Sequence, residues 1–122
     1  MTAHQENAIE IRNVCKEFPG VIALKDVSFD ILKNTVHCIV GENGAGKSTL
    51  LSIMGAMNAP TLGTFVVDDI DVYSLTQEKQ ADFRREFLGF IFQSFHLVPY
   101  LTVFENVMLP LTIIKAGRKH KR

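Results

Sequence analysis

The sequence predicts an α/β fold in which antiparallel strands precede a strand–loop–helix core. Three observations carry this expectation. Residues 8–14 (AIEIRNV) and 24–32 (LKDVSFDIL) alternate apolar and polar side chains, the period of half-buried strands. Residues 35–40 (TVHCIV) form an apolar, β-branched run of the kind covered on both faces in a parallel sheet. A Gly-rich loop, GENGAGKST from Gly41 to Thr49, then opens onto a segment with apolar residues at helical spacing.

In chain order, the first strand is broken by Lys16–Gly20 (KEFPG), where Pro19 and Gly20 favour a turn. The second ends at Lys33-Asn34, a tight turn into the third strand, 35–40. A helix from Lys47 to Asn58 would bury Leu50, Leu51, Ile53, Met54 and Met57, and residues 59–63 (APTLG) stop it. Residues 64–75 (TFVVDDIDVYSL) read as a strand pair or a bent strand around Asp68-Asp69. Thr76 is the expected N-cap of an amphipathic helix ending at Phe87. Residues 88–93 (LGFIFQ) read as a buried strand ending in a glutamine. A capping-box pair, Thr102 and Glu105, opens a helix over 101–114, which Pro110 should kink or interrupt.

Composition narrows the function classes. The 122 residues are one domain's length or part of a larger domain, and 47% hydrophobic content supports a core. Thirteen basic residues balance thirteen acidic ones, so no overall field favours nucleic acid, and none is expected as a partner. The basic run Lys115–Arg122 reads as a solvated helix end. No apolar run approaches the ~18 residues of a membrane span, and MTAHQENAIEI lacks the order of a signal peptide. Cys15 and Cys38 stand isolated in apolar segments and read as buried thiols in a reducing compartment. The four histidines are scattered singly and suggest no metal pair.

The loop carries the clearest chemistry. Gly41, Gly46, Lys47 and Ser48 fit the phosphate-loop pattern G-x-x-x-x-G-K-[ST]. Glycines allow left-handed backbone angles, so the loop through Asn43, Gly44, Ala45 and Gly46 to Thr49 can turn its N–H groups inward. With the N-terminus of the following helix they make a concave anion site. Lys47 can reach terminal phosphates, and Ser48 can offer a hydroxyl to Mg²⁺. The acids of FVVDD, Phe65 to Asp69, are open to two readings. They are either an acidic strand serving a small P-loop kinase or GTPase through Asp68 and Asp69, or a surface turn.

Three stretches, together most of the chain, resemble the ATP-binding cassette (ABC) transporter ATPases. EFPGVIALKDVSFDI with VHCIVGENGAGKSTL is similar to the ATPases of sugar importers. APTLGTFVVDDIDVYSL and LGFIFQSFHLVPYLTVFENVMLP are similar to the lipoprotein-releasing and macrolide-efflux group, so residues 8–50 and 59–110 point to different subfamilies. The resemblance implies a P-loop NTPase core with an N-terminal antiparallel β subdomain, with the sequence ending before a signature motif and a Walker B strand. Residues 1–93 would be the β subdomain and core, and 94–122 the start of a helical subdomain. It further implies ATP and Mg²⁺ as cofactors, Phe18 stacking on the adenine, and Gln93 reaching Mg²⁺ and the attacking water. Membrane-spanning transporter subunits docking after Gln93, a second nucleotide-binding subunit, and a cytoplasmic place on the inner face of the cell membrane are implied as well. By the same resemblance Asp68 and Asp69 fall among antiparallel strands rather than at the metal. Without a later catalytic acid or LSGGQ-like motif, the chain alone is expected to bind nucleotide without appreciable turnover, or to act as a non-catalytic interaction fragment. Its unpaired strands should make it prone to self-association.

Overall fold

The structure, a computed structural model, describes residues 6–118, with side chains described as far as residue 112. The sequence readings at His4, at His120 and at the two chain ends therefore fall partly outside the described residues. The chain divides into two compact units, one up to Arg84 and one from Arg85.

The first unit is built on a four-stranded antiparallel sheet in the order β2-β1-β3-β4. Strand β1, Asn7–Phe18, and strand β2, Val21–Leu32, form a hairpin. Phe18 pairs with Val21, leaving Pro19-Gly20 as a two-residue loop with Gly20 at φ 79. Proline before a positive-φ glycine suits a tight turn. The expected break at KEFPG is thus only the turn itself, and the ladder continues through Lys16 and Glu17. Strand β3, Leu62–Val67, pairs with β1, and the short β4, Ile70–Asp71, pairs with β3.

Helix α1, Lys47–Met54, stops four residues earlier than the apolar pattern suggested. The reason is local: Ala56 takes φ 53, its N–H bonds to the Ile53 carbonyl, and the Met57 N–H reaches back to Ser52. That pair of bonds is the Schellman ending, with alanine where glycine is usual. Leu50 and Ile53 are buried as expected, whereas Leu51 and Met57 are exposed. The core comprises Ile11, Val14, Leu24 and Phe65 from the strands, Leu50, Ile53 and Phe83 from the helices, and Ala56 and Val72 from the turns after α1 and β4. Phe83 lies on α2, Gln77–Phe87, where the Thr76 carbonyl accepts from Gln80 N–H and the Thr76 hydroxyl accepts from Lys79 N–H at 3.4 Å.

Two expected strands are not strands. Residues 35–40 and 88–93 form no ladder, and Val36 is 94% exposed while Ile91 is fully exposed. An apolar strand covered on both faces needs neighbours on both sides, and neither run pairs with any described strand. Cys38, on the first run, is consequently exposed rather than buried, while Cys15 is half-buried and its Sγ accepts from Asp26 N–H at 3.2 Å.

The second unit carries helix α3, Val103–Arg118. The capping box forms in full: Thr102 N–H and Oγ1 both donate to Glu105 Oε2 at 2.8 Å, and Glu105 N–H returns to Thr102 Oγ1 at 3.2 Å. Contrary to an interruption, the helix runs through Pro110. A proline removes one backbone hydrogen bond and crowds the preceding turn, and here the helical backbone continues past that loss.

Candidate functional site

The loop between residue 40 and α1 adopts the angles that the glycine pattern anticipates. Gly44 has φ 84 and Gly46 φ 86, both in the left-handed region closed to most L residues. Gly46 is required for a second reason. A Cβ there would lie 2.6 Å from the Ala23 carbonyl oxygen and 2.9 Å from a Leu24 methyl, so the loop closes directly onto β2. Ala45 N–H bonds to the Glu42 carbonyl at 3.2 Å, and the helical ladder starts with Leu50 N–H on Gly46.

Lys47 is half-buried, with its Nζ donating to the carbonyls of Gly41 at 2.6 Å and Glu42 at 2.7 Å. The ammonium therefore lies across the mouth of the loop. Ser48 is exposed one position further on. The first turn of α1 has no side-chain cap and no acidic residue. Its leading N–H groups are thus uncompensated by protein and carry the positive end of the helix dipole. An uncapped helix start, left-handed glycines, one ammonium and one hydroxyl form a donor set suited to a polyphosphate with Mg²⁺.

Phe18 sits at the end of β1, 42% exposed, with Lys16 Nζ 5.3 Å from its ring centroid. Its strand partner Val21 lies two residues before Ala23, where Gly46 packs. The hairpin end and the loop therefore share one region of the first unit. Gln93 lies in the second unit, exposed at a bend in residues 88–93. Around it Phe90 and Phe92 stack with centroids 6.0 Å apart, and Phe92 and His96 at 4.7 Å.

Asp68 and Asp69 occupy the two-residue connection between β3 and β4, with Val67 paired to Ile70. Both have positive φ, 43 and 65, as a type I′ hairpin turn requires. Asp68 is exposed and 3.5 Å from Lys33 Nζ, which also contacts Glu6 at 3.0 Å. The geometry is that of a surface turn.

Two supporting residues were not recognised as such from the sequence: Tyr73 carried no signal, and Arg84, with Arg85, reads from the sequence as solvated helix surface, whereas it is half-buried. Tyr73 Oη lies 2.6 Å from the Ile53 carbonyl and 3.0 Å from that of Asn58, and Arg84 donates to the Ala56 carbonyl at 2.6 Å. Together they satisfy the C-terminal end of α1, where a cation also complements the helix dipole. Their acceptors are backbone groups distant in sequence, so no motif could have indicated them.

The ABC transporter family profile matches residues 24–122. The ABC transporter ATP-binding protein YtrE of Bacillus subtilis is 46% identical over 76% of this chain and 40% of its own length. The lipoprotein-releasing system ATP-binding protein LolD of Porphyromonas gingivalis is 42% identical over 91% of this chain and 51% of its own. The macrolide export ATP-binding/permease protein MacB of Campylobacter jejuni is 40% identical over 91% of this chain and 17% of its own. Among solved structures, the dimeric ABC transporter cassette MJ0796 superposes with TM-score 0.80 at 39% identity, covering 86% of this chain and 47% of that one. The same cassette in a post-hydrolysis dimer bound to ADP and Pi gives 0.78 at 38% identity, with equal coverage. This chain spans about half the length of these cassettes.

Proposed function

This chain belongs to the ABC transporter family, and on that premise we propose that it binds ATP with Mg²⁺ as the nucleotide-binding part of a transporter. The observation that carries this reading is the loop: left-handed Gly44 and Gly46, Lys47 spread over its mouth and an uncapped α1 behind it. The backbone N–H groups would bind phosphate oxygens, Lys47 would exchange its two carbonyls for terminal phosphate oxygens, and Ser48 would hold Mg²⁺. The metal supplies charge neutralisation on the phosphates. Asn43, Ala45 and Thr49 shape and flank this cradle, and Phe18 offers a π-face to the base. Gln93 would orient water beside the metal.

The ADP- and phosphate-bound state of MJ0796 supports the nucleotide assignment, and that cassette's dimer supports pairing with a second nucleotide-binding subunit. The relatives' names, lipoprotein-releasing and macrolide export, support service to membrane subunits and outward transport. The region after Gln93 is the proposed docking side, placing the protein on the inner face of the membrane. Phosphoryl transfer needs an oriented water and full charge stabilisation, and these 122 residues offer only Lys47, Ser48 and Gln93 toward them. Binding without appreciable turnover is therefore expected.

Replacing Lys47 by alanine tests the reading. Losing a charge-assisted contact of ~3 kcal/mol should weaken Mg-ATP binding about a hundredfold, measured by titration with a fluorescent ATP analogue. Equal affinity in the variant would refute it. Phosphate release well above that of the same variant would refute the absence of turnover.

A further inference from the structure

We propose that Asn43 is a spontaneous modification site, through which the phosphate loop converts itself to a form that rejects nucleotide. Of the six asparagines in the chain, at 7, 13, 34, 43, 58 and 106, only Asn43 precedes a glycine. A glycine on the C-terminal side removes the steric barrier to attack by its nitrogen on the asparagine side chain. The structure adds three conditions that the dipeptide alone does not guarantee. Asn43 and Gly44 are both exposed, in a turn outside regular structure. A Cβ at Gly44 would meet nothing within 4 Å, so no neighbouring group crowds the side-chain face of that residue. Among the described residues, no acceptor holds the Gly44 N–H and no partner holds the Asn43 amide.

By contrast, Asn13 and Asn106 are held. Asn13 donates to Asp26 at 2.7 Å, and Asn106 donates to the carbonyls of Val98, Leu101 and Thr102. Asn34 precedes the β-branched Thr35, which shields its nitrogen.

The chemistry balances with water as the only co-reactant. The Gly44 nitrogen attacks Cγ of Asn43, the N–Cγ bond forms and the Cγ–Nδ2 bond breaks. The Gly44 amide proton leaves with Nδ2 as ammonia, giving a five-membered succinimide. Water opens that ring at either carbonyl, leaving an aspartate or a β-linked isoaspartate at position 43. The product places a second carboxylate directly beside that of Glu42, in a loop whose other groups are N–H donors and Lys47, and the β-linked form also lengthens the backbone there. Repulsion between that carboxylate and a nearby phosphate, weakened by solvent screening, lowers nucleotide affinity. Bound nucleotide would draw the Gly44 N–H onto a phosphate oxygen and slow the attack. The protective effect of ATP rests on the nucleotide reading above; the modification itself does not.

The test ages the full chain at mildly alkaline pH with and without Mg-ATP, followed by peptide mass mapping and isoaspartate labelling. Expected is amide-to-acid conversion at Asn43 well ahead of the other five asparagines, suppressed several-fold by Mg-ATP. ATP binding should decline in step with it. Asn43→Gln, measured against its own starting affinity, should show no decline on ageing, and Asn43→Asp should bind ATP about tenfold more weakly from the start. Conversion at Asn43 no faster than at Asn34 overturns the proposal. So does an Asn43→Asp variant that binds like the unaged protein. If fresh, unmodified protein fails to bind ATP, the nucleotide reading has failed, and the mass map alone decides the modification.

Discussion

Tyr73 ties the phosphate-loop helix to the sheet unit through one hydroxyl, shared between the carbonyls of Ile53 and Asn58. Burial holds its phenol up at about 12. The unfolded value is ~10, so the folded chain keeps the proton to higher pH than the unfolded chain does. That contribution is complete below pH ~10 and is lost as pH rises toward 12. Tyr73→Phe should lose about 1 kcal/mol at neutral pH, because two carbonyls lose their donor. It should also lack the alkaline part of the stability profile, read by urea denaturation at a series of pH values. An identical alkaline decline in both proteins would contradict this. At this scale, Gly44, Gly46 and Lys47 were legible because their residue types are themselves the requirement: positive φ, close approach and a long cation. Tyr73 and Arg84 were not, because any side chain with a donor and enough reach could meet a backbone carbonyl.

The capping box of α3 was legible as an element, since both its partners lie within one turn. Bonds from Thr102 N–H and Oγ1 hold the Glu105 carboxyl below the usual carboxylate range. A depressed folded pKa gives stability present above the unfolded value and lost as pH falls through the folded one. The Thr102 amide resonance should therefore shift only as the pH falls below the unfolded glutamate value of ~4.3 in the wild type, and Glu105→Gln should remove that titration. A Thr102 shift that persists in the variant would assign it to another group. Other elements were misread where pattern and pairing diverged. Residues 47–58 keep helical spacing to their end, yet Ala56 in the left-handed region stops α1 at Met54. Residues 35–40 and 88–93 have strand composition, but composition supplies no hydrogen-bond partner.

On the whole molecule, those two unpaired runs expose an unusual load of apolar side chains: Val36, Val40, Phe90, Ile91 and Phe92 are all open to solvent. Contiguous exposed apolar segments favour association. Sedimentation velocity should show a mass above the monomer that rises with concentration. A single sharp monomer boundary with a cooperative melt would oppose this. The sequence by itself determined the phosphate loop, the β1–β2 and β3–β4 strand alternation, the α3 cap and the family resemblance, because each rests on residues close together in the chain. Only the tertiary structure decided that Asp68 and Asp69 are the two positive-φ positions of a hairpin turn, contacted by Lys33. It alone showed that Gly46 must lie against Ala23 and that the α1 end is held by Tyr73 and Arg84. The physical reason is the same in each case. Conformational preference is a property of a few neighbouring residues, whereas a close approach or a satisfied carbonyl depends on which distant segment arrives beside it.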